Sequence, residues 1–177
     1  VSPCSSIMVQ LFLSATLMIF GSLCLAAELV VGKVIAVQDG DTLTLVDEYD
    51  VKYRVRIAGI DAPEKNQPWG SESTQYLSSL VLGKLLSAEC PKLDRYQRKV
   101  CNVYLDGIDI GLQQLQKGYA WHYKKYEHEQ APQTRATYSE AEMLARADKS
   151  GLWQDSSQIP PWTWRDERRS KPILQMQ

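Results

Sequence analysis

Apolar and polar residues begin to alternate abruptly at residue 28. Residues 29–37 are apolar and rich in valine, and Gln38-Asp39-Gly40-Asp41 interrupts them as a turn. Thr42-Leu43-Thr44-Leu45-Val46 answers with period two, so the pair predicts a β-hairpin. Residues 47–50 form a second turn and residues 51–60 a third strand, with Tyr53, Val55 and Ile57 on one face and Arg54 and Arg56 on the other. Pro63 stops that strand, and residues 66–70 read as a loop. Ser71 then looks like the N-cap of a helix whose apolar stripe is Tyr76, Leu77, Leu80 and Val81, ended by Gly83. Two further strands, residues 84–90 and 100–105, flank a polar connection. A short helix over 111–117 closes at Gly118, and a longer one over 133–149 marks its packed face with Ala141, Leu144 and Ala145. This order of elements gives an α+β chain dominated by β, without internal repeats.

The ends of the chain depart from that pattern. Residues 1–27 carry no charge and are dominated by apolar side chains, as in a secretory signal with small-residue cleavage sites at Cys24-Leu25-Ala26 or Leu25-Ala26-Ala27. It lacks a positive leading region, and the sequence starts with Val. An uncleaved anchor competes, since roughly 20 apolar residues span a bilayer. The alanines and the switch to charged sequence at Glu28 favour cleavage, hence a secreted or periplasmic protein that meets membrane only through this segment. One domain is expected over 28–154. A tail over 155–177 follows, with Pro160-Pro161-Trp162-Thr163-Trp164-Arg165 and then a charge run. Its tryptophans and basic residues could stack on and neutralise nucleic acid. Alternatively the tryptophans pack on the domain and the rest is a mobile tail.

Cys4 and Cys24 would leave with a signal, whereas Cys90 and Cys101 lie on adjacent strands that a hairpin would bring face to face. An exported protein would oxidise that pair. A formal net charge of −1 argues against a sequence-specific DNA binder that relies on many phosphate contacts, and suits an enzyme that grips one or two phosphates locally.

The candidate chemistry lies in two short runs, Asp39-Gly40-Asp41-Thr42 and Arg56-Ile57-Ala58-Gly59-Ile60-Asp61-Ala62-Pro63-Glu64, with Arg98 in Asp94-Arg95-Tyr96-Gln97-Arg98. Carboxylates suit a hard cation such as Ca²⁺ or Mg²⁺, and an arginine fork matches two oxygens of a phosphoryl group. Singly, each run has a plain structural reading: DGD as a turn, Asp-Ala-Pro-Glu as a strand terminator, a strand arginine paired with a surface acid. Their joint presence, in order, points to a metal-dependent phosphodiesterase. His122 and His128 lack partners at zinc spacing and read as structural, and Trp121 and Trp153 as helix packing.

The stretch from about Val31 to Trp153 resembles the staphylococcal, thermonuclease-type nuclease family through DGDT, R-x-x-x-x-D-x-P-E and D-x-Y-x-R. The resemblance implies a secreted bacterial member built as a five-stranded Greek-key OB-fold barrel, with a helix after the third strand and two carboxy-terminal helices. It implies one Ca²⁺ on Asp41, Asp61 and the backbone carbonyl of Ala62, with Asp39 acting indirectly. Glu64 would orient or deprotonate the attacking water, and Arg56 and Arg98 would bracket the scissile phosphate. Tyr96, Tyr123 and Tyr126 are candidates for a base or terminal phosphate, Tyr126 foremost by its offset from Gly118, while Lys124 replaces an aromatic. Gln97 departs from the usual glycine, and Ala62 from the threonine of some members. The expected activity is a monomeric nuclease of low sequence specificity acting on single-stranded DNA or RNA, with duplex nicking possible, that leaves 3′-phosphates and 5′-hydroxyls. The competing class is a catalytically inactive OB-fold nucleic-acid-binding or scaffold module. Retention of Asp41, Arg56, Asp61, Glu64 and Arg98 favours the enzyme.

Overall fold

A computed structural model describes residues 27–170, so the proposed signal or anchor lies outside the described residues. Five strands close a barrel: β1 (Glu28–Asp39), β2 (Thr42–Val46), β3 (Lys52–Ile57), β5 (Leu85–Leu93) and β6 (Lys99–Leu105). They run in the order β3-β2-β1-β5-β6, and parallel pairing of β3 with β6 closes the ring. This is the OB-type barrel expected. The period-two pattern is the cause, since Val34, Leu43, Leu45, Val55, Ile57, Leu86, Ala88 and Val103 all point into one buried core. Among the described residues no helix is long and apolar enough to cross a membrane.

The third strand is shorter than the sequence suggests. After β3 the chain turns through Gly59 at φ 73°, and Ile60–Asp61 forms a separate short strand, β4, paired with β8 (Trp121–His122). A further short strand, β7 (Ile108–Asp109), folds back to pair antiparallel with β6. The helices are α1 (Gly70–Val81), α2 (Ile110–Gln116), α3 (Pro132–Ala147) and α4 (Pro161–Ser170).

Several local expectations are corrected. Ser71 does not cap α1. The helix starts at Gly70, preceded by Trp69 in the left-handed region at φ 69°, with no side-chain cap. A Cβ on Gly70 would stand 2.0 Å from the Glu64 carbonyl oxygen, so only glycine lets the helix start against that turn. Leu144 is not on the packed face of α3, where Tyr138, Ala141 and Ala145 are buried instead. Residues 161–170, expected to be irregular, form α4, which opens on a proline at a position where its missing N–H costs nothing. Tyr138 donates to Asp109, the N-cap of α2, and so ties α3 to α2.

Gly40, in the β1–β2 turn, is required for space and not for a positive φ. An added Cβ would lie 1.8 Å from Ser73 Oγ and 2.7 Å from the Cβ of Ala62, because α1 packs directly on the turn. Gln114 of α2 donates to the Gly40 carbonyl from beneath. Gly40→Ala should therefore cost between about 1 and 3 kcal/mol, as overpacking does, read as a lowered thermal midpoint.

Cys90 and Cys101 form a disulfide between β5 and β6. Cys101 pairs with Ile57 of β3, so the bond staples the hairpin that carries Arg98 next to the seam that closes the barrel. In the chain-entropy treatment so short a closed loop contributes about 3 kcal/mol. The Cys90→Ser/Cys101→Ser variant should melt roughly 10 °C lower while retaining its fold, and intact protein from an oxidising compartment should take up no thiol alkylating agent at these positions in mass spectrometry.

Candidate active site

The acids gather at the β1–β2 turn and the ends of β3 and β4, around one guanidinium. Antiparallel pairing sets Thr42 opposite Arg56, and alternation puts Val55 and Ile57 in the core, so Arg56 emerges at the rim beside the β1–β2 turn. Its Nη1 is 3.0 Å from Asp41 Oδ2 and its Nη2 is 2.9 Å from Asp61 Oδ1. Nη1 also donates to the Ile57 carbonyl. The Ala62 N–H donates to Asp41 Oδ2 at 2.8 Å, which fixes Ala62 beside both acids. Asp39 accepts from the Asp41 N–H and shapes the turn. Four of the expected residues, Asp41, Arg56, Asp61 and Ala62, thus form one connected cluster with Asp39 at its edge.

Arg98 reaches the cluster through an intermediary. Its Nη1 donates to Thr42 Oγ1 at 3.1 Å, and that hydroxyl donates to Asp41 Oδ1 at 3.0 Å. The other side of the guanidinium is held by Asp94 at 2.7 Å. Thr42 therefore links the second arginine to the acids. It was visible in DGDT but not singled out. Gln97 adopts φ 61°, the left-handed conformation that glycine takes at least cost, so the loop keeps the geometry that glycine would give.

Glu64 is fixed through its backbone. Its carbonyl accepts from the Gln67 N–H and its N–H donates to Gln67 Oε1, while the buried Gln67 amide donates onward to the Ile159 carbonyl. Its carboxylate is held by a residue that sequence reasoning did not assign to the site. Arg165 of α4 places Nη1 2.7 Å from Glu64 Oε1 and Nη2 2.7 Å from Asp61 Oδ2. The helix is seated by Trp162, whose ring meets Trp121 at 5.8 Å and stacks on Tyr123 at 5.5 Å. Trp162 and Arg165 are three residues apart and share a helix face. Because Trp121 pairs with Asp61 across β4 and β8, docking that tryptophan delivers that arginine.

Electrostatics follow from crowding. Burial, and next the Asp41 charge, raise the Asp39 carboxyl to about 7. Burial also drives Asp61 upward against the opposing pull of Arg56 and Arg165. Burial disfavours the Arg56 cation, but the summed fields of Asp41, Asp61 and Asp39 outweigh it and raise its pKa. Among the described residues no three Asp, Glu, His or Cys side chains group as a metal cage. The donors at hand are the carboxylates of Asp41 and Asp61 and nearby backbone oxygen, hard ligands that fit an oxygen-preferring divalent cation completing its shell with water or substrate. Any cation that takes Asp61 Oδ2 does so against Arg165.

The aromatic candidates separate. Tyr96 is 58% exposed, with the Arg95 and Arg98 guanidiniums over its ring. Tyr126 is partly exposed and meets Tyr123 edge-on at 5.0 Å. Tyr123 is the tyrosine that feels Asp61 and Arg165, its phenol raised by burial and then by Asp61. His122 is buried, bonded to Gln130 and Lys124 through its ring and to Glu142 through its N–H, a structural role. Trp121 packs edge-on against Trp153 at 4.3 Å.

Comparison with known proteins bears on this geometry. The family described as "Staphylococcal nuclease homologue" matches residues 54–155. An "Uncharacterized endonuclease" of Haemophilus influenzae is 38% identical over 137 residues, covering 77% of this chain and 74% of that protein. An "Uncharacterized endonuclease" of Escherichia coli O157:H7 is 37% identical over 138 residues, covering 77% and 86%. The "Probable staphylococcal-like nuclease CAN1" of Oryza sativa subsp. japonica is 40% identical over 119 residues, 67% of this chain but only 34% of the plant protein. A family match across Arg56, Asp61, Glu64 and Arg98, with bacterial relatives aligned along most of their length, places the chain in the staphylococcal nuclease family of phosphodiester hydrolases.

Proposed function

We propose that this nuclease is Ca²⁺-dependent, of low sequence specificity, and hydrolyses DNA or RNA to 3′-phosphate and 5′-hydroxyl ends. The observation that carries the reading is the joint placement of two guanidiniums and two buried carboxylates, with Arg56 on Asp41 and Asp61 directly and Arg98 one hydroxyl away. Export to the periplasm or medium, after loss of residues 1–27, fits the oxidised Cys90–Cys101 pair. We take the active species to be a monomer with a preference for single strands.

A bound Ca²⁺ would sit on Asp41, Asp61 and the Ala62 carbonyl and polarise a phosphate oxygen. The protein's own groups do the rest. Arg56 and Arg98 each offer N–H donors to equatorial phosphate oxygens, where charge grows during in-line displacement. Their positions are set before substrate arrives, Arg56 by its two acids and Arg98 by Asp94 and Thr42, so little reorganisation opposes the reaction. Glu64 is anchored through its main chain and partly exposed, able to orient a water or accept its proton. In this reading Arg98, and not Arg56, serves the leaving 5′ oxygen.

Ca²⁺ should support cleavage of plasmid and oligonucleotide, EGTA should abolish it, and Mg²⁺ should substitute poorly because it demands tighter octahedral geometry. Full digestion in EGTA without added metal would remove the cation from the mechanism.

Arg56→Lys, Arg98→Lys and Glu64→Gln should each lower kcat by about 100-fold or more, since lysine keeps the charge but loses the fork. Glu64→Gln should leave Ca²⁺ and nucleotide binding measurable. Arg54→Lys, an exposed change on the same strand, should behave as wild type. Near-wild-type kcat in all three, in protein folded by circular dichroism, would leave the inactive binding module as the better reading.

A further inference from the structure

The tail motif of alternating tryptophan and basic residues has a place in the fold that the chemistry above does not use. A cleft of about 400 Å³ opens between the turn after β4 and helix α4. Lys65 and Asn66 line it from the turn, and Trp164, Arg165, Arg168 and Arg169 from the helix. Asp39 and Glu64 also line it, so the cleft is continuous with the acid cluster. It holds four cationic side chains and two carboxylates, whereas the chain as a whole has 20 Lys and Arg against 21 Asp and Glu.

The distribution of partners sharpens this excess. Glu64 is already paired with Arg165. Arg169 meets Asp166 only at 3.5 Å on the surface. Lys65 and Arg168 have no carboxylate partner among the described residues, and Arg168 lies over the Trp164 ring at 6.0 Å. The Trp164 indole Nε1 is buried without a hydrogen-bond partner among the described residues. Unpaired cations and an aromatic ring lining a cleft next to the phosphodiester chemistry together describe a polyanion with planar bases.

We propose that α4 forms a second subsite for the nucleic-acid strand, in which Lys65 and Arg168 hold a backbone phosphate flanking the scissile one and Trp164 contacts the adjoining nucleotide. Arg165 anchors the helix to the acid cluster through Glu64 and, while no cation takes Asp61, through Asp61 as well. The inference takes its substrate class from the nuclease reading, while its test needs no turnover.

The test is anisotropy of a labelled single-stranded oligonucleotide in EGTA across a salt series, comparing the wild-type protein with Lys65→Gln/Arg168→Gln. The variant should bind about tenfold more weakly, and its slope of log affinity against log salt should be shallower by about 0.7, the release expected from one neutralised phosphate on a single strand. A charge-matched control, Lys33→Gln/Lys84→Gln, alters exposed lysines in β1 and after α1 and should match wild type in both quantities. An unchanged Kd in the cleft variant, an equal loss in the control, equally effective competition by polyglutamate, or no binding by wild type in EGTA would each overturn the subsite. Wild-type binding that responds to these substitutions as expected, together with no Ca²⁺-dependent cleavage, would support the subsite and count against the nuclease reading alone.

Discussion

The guanidinium of Arg56, shared between Asp41 and Asp61, is the contact on which the rest of the site depends. Both acids are nearly inaccessible to water, and neither could be held there ionised without a partner, since an unpaired buried charge costs several kcal/mol. The arginine gathers them because of where the barrel closes. Arg56 is opposite Thr42 in the antiparallel ladder and opposite Val100 in the parallel one, so a single residue of β3 touches both edges of the seam. Closure of the barrel and assembly of the site are the same event. The disulfide one residue along β6 reinforces that seam without entering the chemistry.

Charge balance explains why α4 settles where it does. Asp39, Asp41, Asp61 and Glu64 bring four carboxylates to one end of the barrel, against which Arg56 alone is a direct counterion from the barrel itself, since Arg98 is committed to Asp94. Arg165 supplies the missing cation from about a hundred residues away in sequence, carried on a helix whose tryptophan is seated beside β8. The raised Asp39 is the residue of imbalance, a carboxyl that protonates more readily because it is partly buried and stands beside the Asp41 charge. A divalent cation would relieve the same imbalance, so Arg165 and a metal compete for Asp61 by construction.

What was legible in the sequence divides along the range of the interactions involved. Alternation in β3 was enough to put Arg56 on the polar side, and the spacing of Cys90 and Cys101 across one connection was enough to pair them, because both depend on neighbouring strands. Barrel closure came from family resemblance, since parallel pairing of β3 with β6 leaves no local mark. The start of α1 was misplaced because Ser71 offers a good cap in isolation, while the real constraint is steric, the approach of Gly70 to Glu64. Helix α4 was missed because a polar, charged decapeptide whose only large apolar side chains are Trp162 and Trp164, two residues apart and so on different faces, reads as a tail. Arg165 had no local signature at all beyond its three-residue offset from Trp162.

The Arg98 loop shows how a substitution away from the family pattern is absorbed. Gln97 holds φ 61°, a conformation that costs a residue with a Cβ about 1–2 kcal/mol relative to glycine. Asp94 offsets this by accepting from the N–H groups of Tyr96 and Arg98 and from the Arg98 side chain, while the Gln97 N–H reaches the Asp94 carbonyl. Burial works against the Asp94 charge, but these hydrogen bonds outweigh it and hold its carboxyl below the usual range. The same residue that stabilises the strained turn also holds the guanidinium that reaches Thr42, so Arg98 keeps its aim with glutamine at position 97.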